Sequence, residues 1–75
     1  PMNQDGLSRD ELILKALDEY SCSTTIALSN YIKRQYKEDY SPAAIGGVLR
    51  KYVARGKVAK SNCGMGYTSY WIVKE

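Results

Sequence analysis

Histidine is absent from this chain of 75 residues. That absence removes the commonest general base and the commonest metal ligand. Cysteine is almost as scarce, with only Cys22 and Cys63. A structural zinc site takes about four Cys or His ligands, so zinc is excluded. One disulfide is arithmetically possible, but a small secreted scaffold that depends on disulfides carries more of them. The pair reads as two free thiols in a reducing compartment. Unbroken apolar runs stay within a few residues, as at Leu12 to Leu14 and Trp71 to Val73. None approaches the ~20 residues of a membrane-spanning helix. No stretch joins a basic start, an apolar middle and a small-residue cleavage site, so no secretory signal is expected.

What is present has the balance of a soluble globular domain: 44% hydrophobic and 25% charged residues. The length leaves room for one small domain with one core. The formal net charge of +3 hides a split. Residues 1–20 carry −3, whereas residues 21–74 carry +7, with nine Lys or Arg against Glu38 and Asp39. A single exposed lysine does no more than solvate a helix face, but nine bases against two acids in one stretch imply a polyanionic partner.

Residues 1–7 read as a disordered lead-in and residues 8–75 as the domain. Ser8 and Glu11 have the spacing of a capping box, and Leu7 and Leu12 that of a hydrophobic staple. Ile13, Ala16, Leu17 and Tyr20 then recur at helical spacing, which predicts a first helix over 9–20 with these residues inward. The polar cluster Ser21 to Thr24 breaks that helix and can cap a second. Thr25 and Ile26 are expected as a short extended segment before it. Leu28, Tyr31, Ile32, Gln35 and Tyr36 form one side of the second helix, which runs to about Lys37. Ser41-Pro42 opens a third, with Ser as the cap and Pro where a missing amide hydrogen costs nothing. Ile45, Val48, Leu49, Tyr52 and Val53 form its apolar stripe, and Gly56 ends it near Arg55. Its outward face collects Ala43, Gly47, Arg50, Lys51 and Ala54. Gly46 and Gly47 cost about 1 kcal/mol each relative to Ala. Either they let a partner approach the helix backbone, or they serve tight helix packing. After Gly56 the period becomes alternating. Lys57 to Ser61 and Tyr67 to Lys74 read as two strands joined by a glycine-rich turn over residues 62–66.

Three helices followed by a two-stranded hairpin give an α+β fold, the winged helix-turn-helix arrangement, with the hairpin as the C-terminal wing. Within it, residues 27–37 (Ala, Leu, Ser, Asn, Tyr, Ile, Lys, Arg, Gln, Tyr, Lys) resemble helix 2 of linker histone globular domains. Ile45, Leu49, Val53, Gly56 and Val58 match helix 3 and the first wing strand of that family, and residues 52–60 are close to its plant members. Tyr70 and Ile72 fall where the family places an aromatic and an aliphatic residue in its last strand. The resemblance covers roughly residues 8–74. It implies a nuclear, chromatin-associated module that binds duplex DNA, typically at nucleosomes, through helix 3 and the wing plus a second basic patch. Arg50 matches a helix 3 arginine that contacts the DNA backbone. Gly46 stands where the family has a basic residue one turn earlier, and Asn62 where it has a wing-tip lysine. Lys51, Lys60, Arg34 and Lys37 partly compensate. The second patch corresponds to Asp18, Tyr20, Asn30 and Trp71, none of them basic, which speaks against bridging of two duplexes.

The candidate nucleic-acid contacts are therefore Lys33, Arg34, Lys37, Ser41, Arg50, Lys51, Lys57, Lys60 and Lys74. Binding is expected to be largely independent of sequence, because the outer face of helix 3 offers no Asn or Gln to read bases. Contact with five or six phosphates predicts a log–log salt slope of about −5. The rival reading is a winged-helix protein-interaction module that engages other chromatin proteins through Met65, Tyr67 and Trp71. Strand alternation by itself leaves Trp71 either inward or outward, whereas the family's placement of Tyr70 turns Trp71 outward. Catalysis is not expected. Cys63 is the only conceivable nucleophile and has no His to activate it. The pairs Asp10/Glu11 and Asp18/Glu19 read as macrodipole partners and solvated surface. No cofactor, metal, membrane or small-molecule substrate is implied, and the isolated domain is expected to be monomeric.

Overall fold

The computed structural model describes residues 7–62 and 66–74. Of the expected disordered lead-in over 1–7, residues 1–6 lie outside the described residues, as do Cys63, Gly64, Met65 and Glu75, whereas Leu7 belongs to the packed domain. Helix α1 spans Arg9–Tyr20. Its start is the expected capping box: the Glu11 amide donates to Ser8 Oγ at 3.2 Å and the Ser8 amide to Glu11 Oε1 at 3.0 Å. Leu12, Ile13, Ala16 and Leu17 are fully buried, and Leu7 packs half-buried against the same core. Tyr20, expected inward, is instead 40% exposed and stacks on Tyr31 with ring centroids 5.0 Å apart. It is the last residue of α1, where the chain turns away from the core, and Leu12, two turns earlier, joins the buried stripe.

The turn is made by Ser21, at φ 82° and ψ −68°. It delivers Cys22–Ser23 as a two-residue strand, β1. The extended segment expected at Thr25–Ile26 thus lies three residues earlier. Thr24 already caps α2, Thr25–Tyr36, by accepting the Ala27 amide at 3.2 Å. Leu28 and Ile32 are buried, Tyr31 and Tyr36 half-buried, while Gln35, expected with them, is exposed at the end of the helix. Both tyrosine hydroxyls donate to Glu19 of α1. The Lys37 amide closes α2 from a left-handed conformation at φ 57°.

Ser29 of α2 donates to the Tyr40 carbonyl at 2.6 Å, fixing the approach to α3, Pro42–Ala54. Ser41 caps α3 by accepting the Ala44 amide at 3.1 Å, with Pro42 at the first helical position. Ile45, Val48 and Leu49 enter the core. Gly56, at φ 79°, ends the helix, a conformation that costs an L side chain about 1–2 kcal/mol.

Strands β2, Val58–Asn62, and β3, Thr68–Ile72, pair antiparallel as expected, in a register that sets Lys60 opposite Tyr70 and Ala59 opposite Trp71. The expected two-stranded hairpin is, however, part of a three-stranded antiparallel sheet in the order β1-β3-β2, because Cys22 and Ser23 pair with Trp71 and Tyr70. Val58 and Tyr70 point into the helical core. Side chains alternate along a strand, so Trp71 occupies the opposite face with Cys22 and Ala59 beside it, and it is half-buried there. Among the described residues, no helix is long and apolar enough to cross a membrane.

Candidate nucleic-acid interface

The buried stripe of α3 leaves Ala43, Gly47, Arg50, Lys51 and Ala54 exposed. Gly47 has no heavy atom within 4 Å of where its Cβ would stand, so packing does not require it to be glycine. Gly46 is different: its Cβ would stand 3.6 Å from Thr25 Cγ2 and 3.7 Å from an Arg50 guanidinium nitrogen. That places Arg50 beside the N-terminal end of α2. There the start of α2, the outer face of α3 and the start of β3, at the turn end of the wing, border a cleft of about 420 Å³. Its walls include Thr25, Ile26, Ala43, Gly46, Arg50 and Tyr67. Two helix N-termini, with their partial positive charge, border it. Lys60 shares the sheet face of Tyr70, which also lines the cleft.

The remaining candidates do not gather at this place. Lys51 is turned toward α1, where its ammonium forms an ion pair with Asp10. The Lys51 hydrogen bond, against some desolvation, holds the Asp10 carboxyl below its ordinary value of 3.8. Arg9 and the Tyr52 hydroxyl add to the effect. Lys74 pairs with Asp18 of α1. Lys57 lines a second cleft, of about 620 Å³, with Leu14, Asp18 and Val73, between α1 and the far end of the sheet. Lys33, Arg34 and Lys37 occupy the C-terminal end of α2, and at 1.5 Å per residue Lys37 is about 16 Å from Ile26 along the axis. Ser41 spends its acceptor on the α3 cap, which leaves its hydroxyl proton to donate.

Sequence reasoning missed Thr25 and Ile26 as parts of this cleft. Ile26 is 59% exposed. Two residues before Leu28, it falls about 200° around the helix from the buried stripe. A lone isoleucine on the polar side was the available signal. Tyr67, named only as a possible protein contact, lines the cleft at 55% exposure. Arg55 and Lys51 both sit over the Tyr52 ring, at 5.2 and 5.3 Å from its centroid. Among the described residues no cluster of three or more His, Cys, Asp or Glu could hold a metal.

A solved structure, the complex structure of hsRosR-S1, superposes on 95% of this chain with a TM-score of 0.76 and 20% sequence identity. The fold is a winged helix. The chain spans only 62% of the length of that relative. No protein-family model matches the sequence, and no curated protein matches it. In winged-helix terms α3 is the third helix and β2–β3 the wing, and the 420 Å³ cleft is the junction between them.

Proposed function

We propose that this chain is a non-catalytic module that binds duplex DNA through α3 and the wing, reading the backbone more than the bases. The observation that carries the reading is the position of Arg50. It stands between the open, small-residue face of α3 and the start of β3 in the wing, where a phosphate strand can reach it without displacing a core side chain. Arg50 and Lys60 then neutralise phosphates and release counterions, with Lys51 joining when it leaves Asp10. Two or three such contacts correspond to a log–log salt slope of about −2 to −3. This replaces the value near −5 expected from charge counting. The finer setting, a linker-histone-like module on nucleosomes in the nucleus, rests on the motifs of α2 and α3.

The test is fluorescence anisotropy on a 20-base-pair duplex across a salt series, with Arg50→Glu and Lys37→Glu. Arg50→Glu should abolish binding, whereas Lys37→Glu should weaken it severalfold at most. Equal losses in the two variants would remove the cleft from the reading. A second reading, a protein-interaction module, is favoured by Trp71, half-buried on the sheet face opposite the core side chains Val58 and Tyr70. It prevails if the unmodified chain binds no duplex at low salt.

A further inference from the structure

The α3–wing cleft is not simply cationic. Ile26 at 59% and Tyr67 at 55% are the two most exposed large hydrophobic side chains among the described residues, and both line it. Neither enters the core, and the other partly exposed tyrosines take neighbours: Tyr20 stacks on Tyr31, and Tyr31 and Tyr36 donate to Glu19. Exposed in the folded chain as in the unfolded one, Ile26 and Tyr67 gain little from folding, and nothing in the packing among the described residues calls for them there. Among the described residues lining the cleft, Arg50 supplies the one cation, beside the Gly46 backbone. The opening is therefore chemically mixed: an aromatic face, an aliphatic face and a guanidinium within about 420 Å³, inside the size range of small-ligand sites.

An intact duplex satisfies only the guanidinium, since its base faces are stacked and closed to Tyr67. A nucleotide out of the stack satisfies all three, its base lying on Tyr67 and against Ile26 while the adjoining phosphate meets Arg50. We infer that the cleft is a pocket for one unstacked nucleotide, so that the module prefers duplexes with a bulge, gap or frayed end over uninterrupted ones. This inference rests on the DNA-binding reading above and narrows its target. Aromatic stacking on a base is tolerant of base identity and is worth about fivefold or more in affinity.

The experiment uses the full chain and three duplexes labelled with the same dye: an uninterrupted 20-base-pair duplex, the same duplex with a single bulged 2-aminopurine, and one with an abasic bulge. The 2-aminopurine duplex should bind about fivefold or more tightly than the uninterrupted one. Its fluorescence should be quenched on binding, as the base stacks on Tyr67. The abasic duplex should lose the gain. Tyr67→Ala should remove the preference between the three duplexes, and Tyr67→Phe should retain it. Equal affinity for all three duplexes, or a preference that survives Tyr67→Ala, overturns this inference and leaves duplex binding standing. No binding to any of the three overturns both.

Discussion

Lys51 on α3 and Asp10 on α1, 41 positions apart in sequence, are joined as an ion pair at the edge of α3. Asp10 thereby competes with any phosphate for Lys51. The pair straddles the two halves of the charge split, an acidic first helix and a basic remainder, and cancels part of the excess that composition displays. Lys74 and Asp18 repeat the arrangement between the C-terminal end of the chain and the same helix. The acidic helix thus does more than balance a dipole, because it holds two cations away from the surface where charge counting would place them.

Replacing Asp10 by Asn releases Lys51. Asp10→Asn should therefore bind duplex DNA more tightly than the unmodified chain and steepen the salt slope by about 1, the signature of one added phosphate contact. Stability should fall by no more than about 1 kcal/mol, because the pair is partly solvated. Anisotropy at four salt concentrations and urea unfolding measure the two effects, and Lys51→Gln in the Asp10→Asn background should cancel the gain.

The same carboxylate shapes the acid limb of stability. Its folded pKa lies below the ordinary 3.8, so the unfolded chain binds the proton more readily. The stabilising contribution is complete well above pH 3.8 and is lost as pH falls through the depressed folded value. Urea midpoints taken between pH 7 and pH 2 should drop at the acid end. They should drop less for Asp10→Asn, which has no such proton to take up.

Gly47 lies in the interior of α3 with open space at its Cβ. Gly47→Ala should stabilise the domain by about 1 kcal/mol through helix propensity alone. If α3 lies against DNA at this residue, the same methyl should weaken duplex binding severalfold. A variant that gains stability and keeps full affinity would show that this helix face stands clear of the duplex. Gly46→Ala is the companion measurement: its methyl meets Thr25 and Arg50 at ordinary van der Waals distance. It should stabilise as well, but it touches the Arg50 guanidinium directly.

Among the described residues, two non-glycine residues hold a positive φ, Ser21 at 82° and Lys37 at 57°. Replacing either by glycine removes a conformational cost of about 1 kcal/mol. Thermal unfolding should shift upward for both Ser21→Gly and Lys37→Gly. Because Lys37 is at the far end of α2, Lys37→Gly should leave preference among DNA substrates unchanged. A changed preference would mean that the DNA path extends along α2.

The legible parts of the molecule were those controlled by neighbours in sequence. Ser8 with Glu11, and Ser41 with Pro42, mark helix starts by chemistry that acts over three residues, and Gly56 marks a stop for the same reason. The stripe Ile45, Val48, Leu49 announces the buried side of α3 because helical geometry converts spacing into direction. Strand β1 was not legible. Two residues carry no period, and Cys22–Ser23 becomes a strand only because β3 is there to pair with it.

The candidate interface divides along the same line. That α3 exposes small residues beside Arg50 follows from the sequence alone, since position on a helix is a matter of counting. Which cations remain available does not. Lys51 and Lys74 are claimed by Asp10 and Asp18 across the fold, and Lys33, Arg34 and Lys37 are carried to the far end of α2. The meeting of Ile26, Arg50 and Tyr67 in one cleft is likewise a tertiary event, drawn from three elements. Local hydrogen bonding and helical periodicity act within a few residues and are written in the order of the amino acids. Ion pairs and clefts depend on distances that exist only once the core has closed.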